Sequence, residues 1–130
     1  MNRRSKLSTE ERRALKYQVR RTGVPLDDDG EVMMYRLPYD PAPGDGDAFV
    51  DFPGHTWVGG REVFIDVKYG TFGLTGRYES DRDVLEGFAV EARRQVEALR
   101  QQSPQARLEW QCSNKRTADI LRVELVKLFV

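Results

Sequence analysis

An acidic residue and a lysine two positions apart are the residues of this sequence best placed to do chemistry. Asp66 and Lys68 lie in the stretch 61–70, which follows two glycines, ends at a third and is rich in β-branched and aromatic residues. The stretch is therefore predicted to be a strand. Alternation along a strand puts both side chains on one face, roughly 6 to 7 Å apart, opposite an apolar face formed by Val63, Ile65 and Val67.

Two interpretations of this pair are open. In one, Asp66 and Lys68 form a weak ion pair on the solvated face of an edge strand. In the other, Asp66 holds a divalent cation while Lys68 orients or polarises the water that attacks a phosphodiester, which requires a second carboxylate from a neighbouring strand. The rest of the chain must decide between them.

Asp51 is the candidate for that second carboxylate. It is the only charge in the apolar run 48–52, which is predicted to be a short strand closed by Pro53-Gly54. Few residues separate this run from the Asp66 stretch, so the two are predicted to be antiparallel neighbours. Two aspartates and a nearby backbone carbonyl are oxygen ligands of the kind that Mg²⁺ prefers. Alternatively, Asp51 only caps the Pro53-Gly54 turn.

Composition limits the classes of protein to consider. At 130 residues the chain has the length of one domain, and it contains one cysteine and one histidine, which excludes internal disulfides and multi-cysteine or two-histidine zinc motifs. The net charge of zero hides an uneven distribution. Residues 1–24 carry eight Lys or Arg and two Asp or Glu, residues 25–89 carry five and fourteen, and residues 90–130 carry eight and five. Such a pattern suits an acidic metal-binding cleft framed by basic helices, and equally a solvated surface.

Several elements must position these residues. A helix is predicted from a capping box at Ser8 and Glu11 through Arg21, with Gly23 and Pro25 beyond its end. A strand is predicted over 31–37, followed by a loop over 38–47 that is dense in Pro, Gly and Asp. Trp57-Val58 is assigned to a connection, and His55 is expected to lie exposed in a turn.

The second half of the chain predicts a loop, two helices and a strand. A loop over 70–78 precedes a helix that begins at 80–83 and ends before Pro104, with a buried stripe of Leu85, Phe88, Ala92, Val96 and Leu99. Glu91 and Gln95 lie one turn apart at the edge of that stripe, facing the sheet. Residues 107–112 alternate as a strand, with Trp110 and Cys112 in the core. Asn114 is predicted to cap a last helix with a buried stripe of Ala118, Leu121, Leu125 and Leu128.

The order helix, three strands, helix, strand, helix, with an aspartate ending one central strand and Asp-x-Lys in the next, resembles the restriction-endonuclease-like fold of the PD-(D/E)xK nucleases. More specifically, the chain resembles the restriction-endonuclease-fold toxin domain type 5, found at the C-termini of bacterial polymorphic and type VI secretion effectors. It departs from the family in that Phe52 and Pro53 separate the first aspartate from the following glycine. The matching stretches are Tyr17-Gln18 with Thr22-Gly23, Phe49-Val50-Asp51, Asp66-Val67-Lys68, Arg94-Gln95 and Glu109-Trp110.

The resemblance implies an α/β (α+β) domain over 1–130, the C-terminal part of a larger effector, with a central mixed sheet of about four strands flanked by helices. It implies Asp51, Asp66 and the backbone carbonyl of Val67 as ligands of Mg²⁺ or Mn²⁺, with Lys68 as the water-orienting base or charge stabiliser. Gln95 would be an accessory polar group near the scissile phosphate. The acid that many relatives carry in the first helix would be Glu11, or Gln18 would occupy that place without charge.

The function implied by the resemblance is a metal-dependent DNase toxin, delivered into the cytoplasm of a competing bacterium, with DNA as substrate, a cognate immunity protein as partner and no membrane association. Two alternatives stay open. The chain could be a non-catalytic binding module of the same fold, such as an immunity protein or a degenerate nuclease, which would bind no divalent metal. It could also be an RNase toxin, because the metal chemistry at the phosphate is the same.

Overall fold

The computed structural model describes residues 9–22, 34–44 and 46–129. Three helices and five strands form within them, so the predicted α/β class is confirmed at that level. None of the described helices is both long enough and apolar enough to span a membrane. In chain order the elements are α1 (Thr9–Thr22), β1 (Tyr35–Pro38), β2 (Phe49–Phe52), β3 (Gly54–Val58), β4 (Arg61–Lys68), α2 (Tyr78–Gln102), β5 (Arg107–Cys112) and α3 (Lys115–Phe129).

The strands form two sheets rather than the predicted single sheet of about four strands. Strands β1 and β2 pair antiparallel in a two-stranded sheet. The second sheet has the order β3-β4-β5, with β3 antiparallel and β5 parallel to β4, so it is mixed, as predicted. The prediction that the Asp51 and Asp66 strands are antiparallel neighbours is therefore wrong, because β1 pairs with the first and β3 with the second.

Pro53 separates the two sheets. It stands between β2 and β3, and a proline has no N–H to donate to a strand ladder, so hydrogen bonding is interrupted there. The residues after it form β3, where the sequence indicated only a turn and a connection. Strand β3 pairs with β4 through the two-residue turn Gly59-Gly60, whose φ angles of 57° and 80° suit glycine and the tight hairpin turn.

His55 is not the exposed turn residue that was expected. It lies on β3 opposite Phe64 in the register and is half-buried. Its imidazole stacks on Tyr35 with ring centroids 4.3 Å apart, and its Nε2 lies 2.6 Å from a carboxylate oxygen of Glu62. Ser103 donates its hydroxyl hydrogen to the other oxygen of the same carboxylate. The cross-strand pairing thus draws His55 into a packed polar cluster.

Strand β4 is the centre of the larger sheet and both of its faces are covered. Val63 and Ile65 are buried on one face, and Phe64, Asp66 and Lys68 on the other. Helix α1 lies against the first face, where Arg21 donates to Gln111, the residue opposite Val67 in the register. An edge strand with a solvated polar face is therefore excluded as the explanation of Asp66 and Lys68.

Helix α2, with 25 residues, is the longest of the described helices. Its buried side differs from the predicted stripe at one position. Leu85, Phe88, Ala92 and Leu99 are buried as expected, but Val96 is 39% exposed and the neighbouring Gln95 is 2% exposed. The apolar pattern misplaced the stripe because Gln95 has polar partners inside the protein. The helix also begins at Tyr78, before the predicted start. Asp81 binds backwards to the loop, accepting hydrogen bonds from the backbone N–H groups of Thr75 and Gly76 at 2.8 and 2.9 Å.

Most of the remaining predictions agree with the described chain, but β1 begins at Tyr35 and includes Pro38, and β4 ends at Lys68 rather than at Gly70. Strand β5 has the predicted limits, the stretch between β4 and α2 has no regular structure, and α1 extends one residue past the expected end. Asn114 caps α3, since its side-chain oxygen accepts from Thr117 N at 3.0 Å. Leu121 is buried and Ala118 and Leu125 are partly buried in the α3 stripe. Several predictions lie outside the described residues, namely the cap at Ser8, Gly23, Pro25, the strand residues 31–33 and the side chain of Leu128.

Two hydrophobic clusters hold the layers together. The first joins both sheets to the C-terminal half of α2 through Phe52, Phe64, Ala98 and Leu99, with Leu37, Tyr39 and Val50. The second joins the N-terminal half of α2 to α3 and β5 through Leu74, Leu85, Phe88 and Leu121. The polar end of β4 lies between these clusters and is thereby fixed against α2.

Candidate active site between strand β4 and helix α2

Three charged side chains meet where the end of β4 faces α2. The Lys68 ammonium lies 3.0 Å from Asp66 Oδ2 and also donates to Glu91 Oε1 of α2. Asp66 and Lys68 are 7% and 8% exposed, whereas the Glu91 side chain keeps 41% exposure. Because β4 presents residues 66 and 68 on one face and α2 covers that face, one lysine bridges two carboxylates. Charges buried this deeply are costly unless they are paired, and here each of them is paired.

Gln95 links Asp66 to Trp110 of strand β5. Its side-chain Nε2 donates to Asp66 Oδ2 at 2.8 Å, and its Oε1 accepts from the indole Nε1 of Trp110 at 2.6 Å. Trp110 stands opposite Asp66 in the parallel β4–β5 register. The orientation of Asp66 is thus set by a chain of two hydrogen bonds, in addition to the bond from Val67 N to its Oδ1 at 2.8 Å. Trp110 is therefore part of the polar network as well as of the core.

Aromatic rings hold the lysine from the other side. The Lys68 Nζ lies 4.6 Å from the ring centroid of Trp110 and 5.3 Å from that of Phe88. A cation over an aromatic face is stabilised by the ring quadrupole. The aromatic rings at the second hydrophobic cluster therefore stabilise the ammonium beside the two carboxylates. This explains how a lysine can be buried there.

The two carboxyl groups differ in acidity because they share one site. Burial and, after it, the neighbouring Asp66 raise the pKa of Glu91 to about 7 against the opposing effect of Lys68. Burial also raises the pKa of Asp66, but a hydrogen bond from Glu91 and the charge of Lys68 outweigh it and leave that pKa below its ordinary value. Like charges in contact split in this way, so that one member of the pair keeps a proton.

The carboxylates open onto a cavity of about 480 Å³ between α2 and the β1–β2 sheet. Asp66, Glu91 and Gln95 line it from one side, and Asp51 lines it from the other. The lining thus brings together three of the residues that the sequence singled out, whereas Lys68 lies behind Asp66 and Glu91. Four lining residues are acidic and one is basic, and the complete set is Met34, Asp47, Phe49, Val50, Asp51, Pro53, Asp66, Gly87, Val90, Glu91, Arg94 and Gln95.

Asp51 reaches the cavity with its carboxylate held by Arg36. The two residues are opposite in the β1–β2 register, and Arg36 Nε and Nη2 donate to the two carboxylate oxygens at 2.8 and 3.0 Å. The hydrogen bonds from this guanidinium hold the pKa of Asp51 below its ordinary value. Asp51 therefore shares a cavity with Asp66 but has a different partner.

Arg94 fixes the far wall of the cavity. Its guanidinium donates to the Tyr39 hydroxyl at 3.0 Å and to the backbone carbonyls of Asp47 and Phe49 at 3.2 and 3.0 Å. The loop between β1 and β2 is thus tied to α2 one residue before Gln95. Arg94 therefore fixes the wall of the cavity, and the adjacent Gln95 fixes the carboxylate of Asp66.

Glu11 and Gln18 do not join this group. Glu11 is exposed in the first turn of α1. Gln18 is half-buried, and its amide lies 3.9 Å from the sulfur of Met34, which does line the cavity. Gln18 thus contacts a residue of the cavity lining without lining the cavity itself.

The described side chains suit a Mg²⁺ or Mn²⁺ ion bound by few protein ligands. No group of three or more His, Cys, Asp and Glu residues suited to a metal exists in 9–22, 34–44 and 46–129. Asp66 and Glu91 nevertheless present two neighbouring carboxylates to the cavity, and Mg²⁺ commonly uses one or two carboxylates together with water and substrate phosphates. The oxygen-only donor set fits this ion, and it does not fit a zinc site that depends on nitrogen or sulfur ligands.

Comparison of the chain with protein-family models, curated proteins and solved structures gave no significant match in any of the three.

Sequence reasoning missed two residues of the site. Glu91 was placed facing the sheet without a role, although its spacing one turn before Gln95 was the signal that both meet the same strand. Arg36 was not singled out at all. An arginine alternating with apolar residues on a strand beside Asp51 carries no specific signal until the strand register is known.

Proposed function

We propose that this chain is a metal-dependent nuclease that hydrolyses phosphodiester bonds at the cavity between β4 and α2. The observation that carries the proposal is the buried Asp66–Lys68 pair bridged to Glu91 and facing an open cavity. Two carboxylates and an ammonium held together at such a cost of burial favour a chemical role over a structural one.

Each residue of the site would have a separate role. Asp66 and Glu91 would hold a divalent cation, with Asp51 and the backbone carbonyl of Val67 as the further ligands that the resemblance implies. When bound, the ion would neutralise charge on the phosphate and lower the pKa of water. Lys68, paired with both carboxylates from behind, would offset part of their charge and help to polarise the attacking water. Gln95 keeps Asp66 in one orientation, and Trp110 does the same for Gln95.

The acidic lining explains why a cation is needed. A phosphodiester entering the cavity meets Asp47, Asp51, Asp66 and Glu91, while Arg94 already donates to backbone carbonyls. Without added positive charge, these carboxylates repel a polyanion. The proposed substrate is DNA, and in keeping with the family resemblance the domain would act as an antibacterial toxin neutralised by an immunity protein.

The test is incubation of the purified protein with supercoiled plasmid and with total RNA, in Mg²⁺, in Mn²⁺ and in chelator. We expect plasmid cutting that depends on the metal, with a loss of at least about 100-fold in Asp66→Asn and Lys68→Ala. Lys115→Ala is the matched control, because Lys115 forms an exposed ion pair with Asp119 on α3. It should cut like the unaltered protein.

The other outcomes are equally informative. Undiminished cutting by Asp66→Asn and Lys68→Ala, or cutting in chelator, would reject the proposal. Degradation of RNA alone would move the assignment to an RNase toxin. Absence of both cleavage and any heat of Mg²⁺ or Mn²⁺ binding by calorimetry would favour the non-catalytic binding module.

A further inference from the structure

An exposed arginine stands at the mouth of the cavity. Arg36 lies on β1 with its guanidinium 3.7 Å from the ring centroid of Phe49, and its side chain is 60% exposed. Phe49 and Asp51, which it contacts, line the cavity. The ring and the carboxylate together fix the plane and the direction of the guanidinium, so that it is preorganised for a planar or forked acceptor.

The guanidinium retains capacity for a second acceptor. Within the part of the chain that the structure describes, its side-chain hydrogen bonds are the two to Asp51, which use two of the five N–H groups of an arginine. An ion pair this exposed contributes little to stability, because water and salt screen it. Exchange of the carboxylate for another oxyanion therefore costs little free energy.

The two arginines near the cavity differ in what holds them. Arg94 is half-buried and bound to two carbonyls and a hydroxyl, so it serves the wall. Arg36 is held by a partly exposed carboxylate that another anion can replace. A phosphate group offers the same forked pair of oxygens as a carboxylate, and arginine binds both in the same bidentate geometry.

We infer that Arg36 is a phosphate-binding residue for the nucleic-acid backbone, and that it exchanges its ion pair with Asp51 for a phosphate as the substrate enters. The exchange would release the Asp51 carboxylate into the cavity at the moment when the substrate arrives. This inference rests on the proposed nuclease function, and it explains why Asp51 shares the cavity of Asp66 while being bound to an arginine.

The experiment measures binding without cleavage. A fluorescent DNA oligonucleotide with phosphorothioate linkages, which resist hydrolysis, is titrated at low salt in Mg²⁺ and in chelator, and the dissociation constant is obtained from anisotropy. We expect Arg36→Ala to weaken binding about tenfold, and Arg36→Lys to lie between it and the unaltered protein. Arg100→Ala is the matched control, since Arg100 forms an exposed ion pair with Glu97 on α2, and its binding should not change.

A double-mutant cycle with Asp51→Asn separates phosphate binding from general electrostatics. Asp51→Asn should tighten binding severalfold, and Arg36→Ala should cost more when it is combined with Asp51→Asn, because the arginine then gives up no ion pair on binding phosphate. Additive effects, or equal affinity of Arg36→Ala and Arg100→Ala, would overturn the inference. So would a lower melting temperature of Arg36→Ala with unchanged affinity, which would assign Arg36 to the stability of β1 and β2.

The result is distinguishable from failure of the nuclease proposal. If the chain cuts DNA but Arg36→Ala binds and cuts like the unaltered protein, only the inference about Arg36 is wrong. If Arg36→Ala weakens binding and the cycle is non-additive while no divalent metal supports cleavage, the phosphate site stands and the nuclease proposal fails. If the unaltered protein binds this DNA neither in Mg²⁺ nor in chelator, the phosphate site is rejected.

Discussion

The two aspartates that share the cavity are held in opposite ways. Asp66 lies on the central strand, 7% exposed, and its carboxylate is held by Lys68, Gln95 and the backbone. Asp51 lies in the smaller sheet, and its carboxylate is held by one arginine whose side chain is 60% exposed. One corner of the cavity is fixed by a buried network, whereas the other depends on a single ion pair that solvent reaches.

The difference indicates which corner is preorganised. Buried hydrogen-bonded charges have no alternative partners, so their geometry persists before any ligand arrives. An exposed pair exchanges partners readily. We expect the Asp66 corner to determine whether chemistry occurs and the Asp51 corner to respond to the substrate, and four changes test that distinction.

The largest effect on stability should come from Lys68→Met. Removal of the ammonium leaves Asp66 and Glu91 together without a neutralising charge, and the loss of one member of a buried ion pair costs about 3 kcal/mol. Urea unfolding followed by circular dichroism measures it. A loss no greater than that of Lys115→Met, which removes an exposed lysine of α3, would show that the Asp66 corner is not preorganised.

The second largest loss of stability should come from Gln95→Leu. The substitution removes the donor to Asp66 and the acceptor of the Trp110 indole, and a buried polar group left without its partner costs about 2 kcal/mol. We also expect cleavage to fall by roughly 10- to 100-fold, as for other residues that orient metal ligands. Val96→Ala is the control, since Val96 is the adjacent and exposed position. Equal effects at 95 and 96 would contradict the assignment of Gln95 to the buried face.

The next largest effect should be a dependence of the free energy of unfolding on pH that arises from Glu91. The pKa of Glu91 rises from 4.5 to about 7 in the folded chain, so between these values the folded state holds a proton that the unfolded state has released. Stability should therefore fall as pH rises through this window and level off above it. In Glu91→Gln that contribution disappears. Parallel curves of urea midpoint against pH for the two proteins would refute it.

The smallest effect on stability should come from Arg36→Ala. Because the pair with Asp51 is exposed, the melting temperature should change by no more than about 2 °C and the change should shrink at high salt. Differential scanning fluorimetry at low and high salt provides the measurement. A large drop that salt does not reduce would place Arg36 among the structural residues of the first sheet.

The sequence predicted well those features that depend on local patterns. Strand β5 was delimited correctly by its alternation, and the cap at Asn114 by its residue type and position. Glu91 and Gln95 were placed facing the sheet from their spacing alone. Each of these predictions uses information contained within a single turn or strand.

Features that depend on which segments pair with each other were not predicted. Strand β3 was missed because Pro53, Gly54 and the Gly59-Gly60 pair resemble a loop, although two glycines between two runs also indicate a hairpin. Without β3, the strand of Asp51 was predicted to pair with the strand of Asp66. Pro53 prevents this pairing. Val96 was favoured over Gln95 because periodicity measures apolar character and cannot register a buried amide that is fully hydrogen-bonded.

Helix α2 is the one described element that carries side chains to both aspartate corners. Gln95 and Glu91 meet the larger sheet, while Arg94 and Gln101 grip the loop of the smaller one. Because each residue of a helix advances the azimuth by about 100°, a single insertion between positions 91 and 94 would rotate Glu91 relative to Arg94, Gln95 and Gln101. Glu91 and Gln95 would then no longer meet the same end of β4 while Arg94 holds the smaller sheet. The spacing of these side chains along a rigid rod therefore acts as a gauge that sets the width of the cleft.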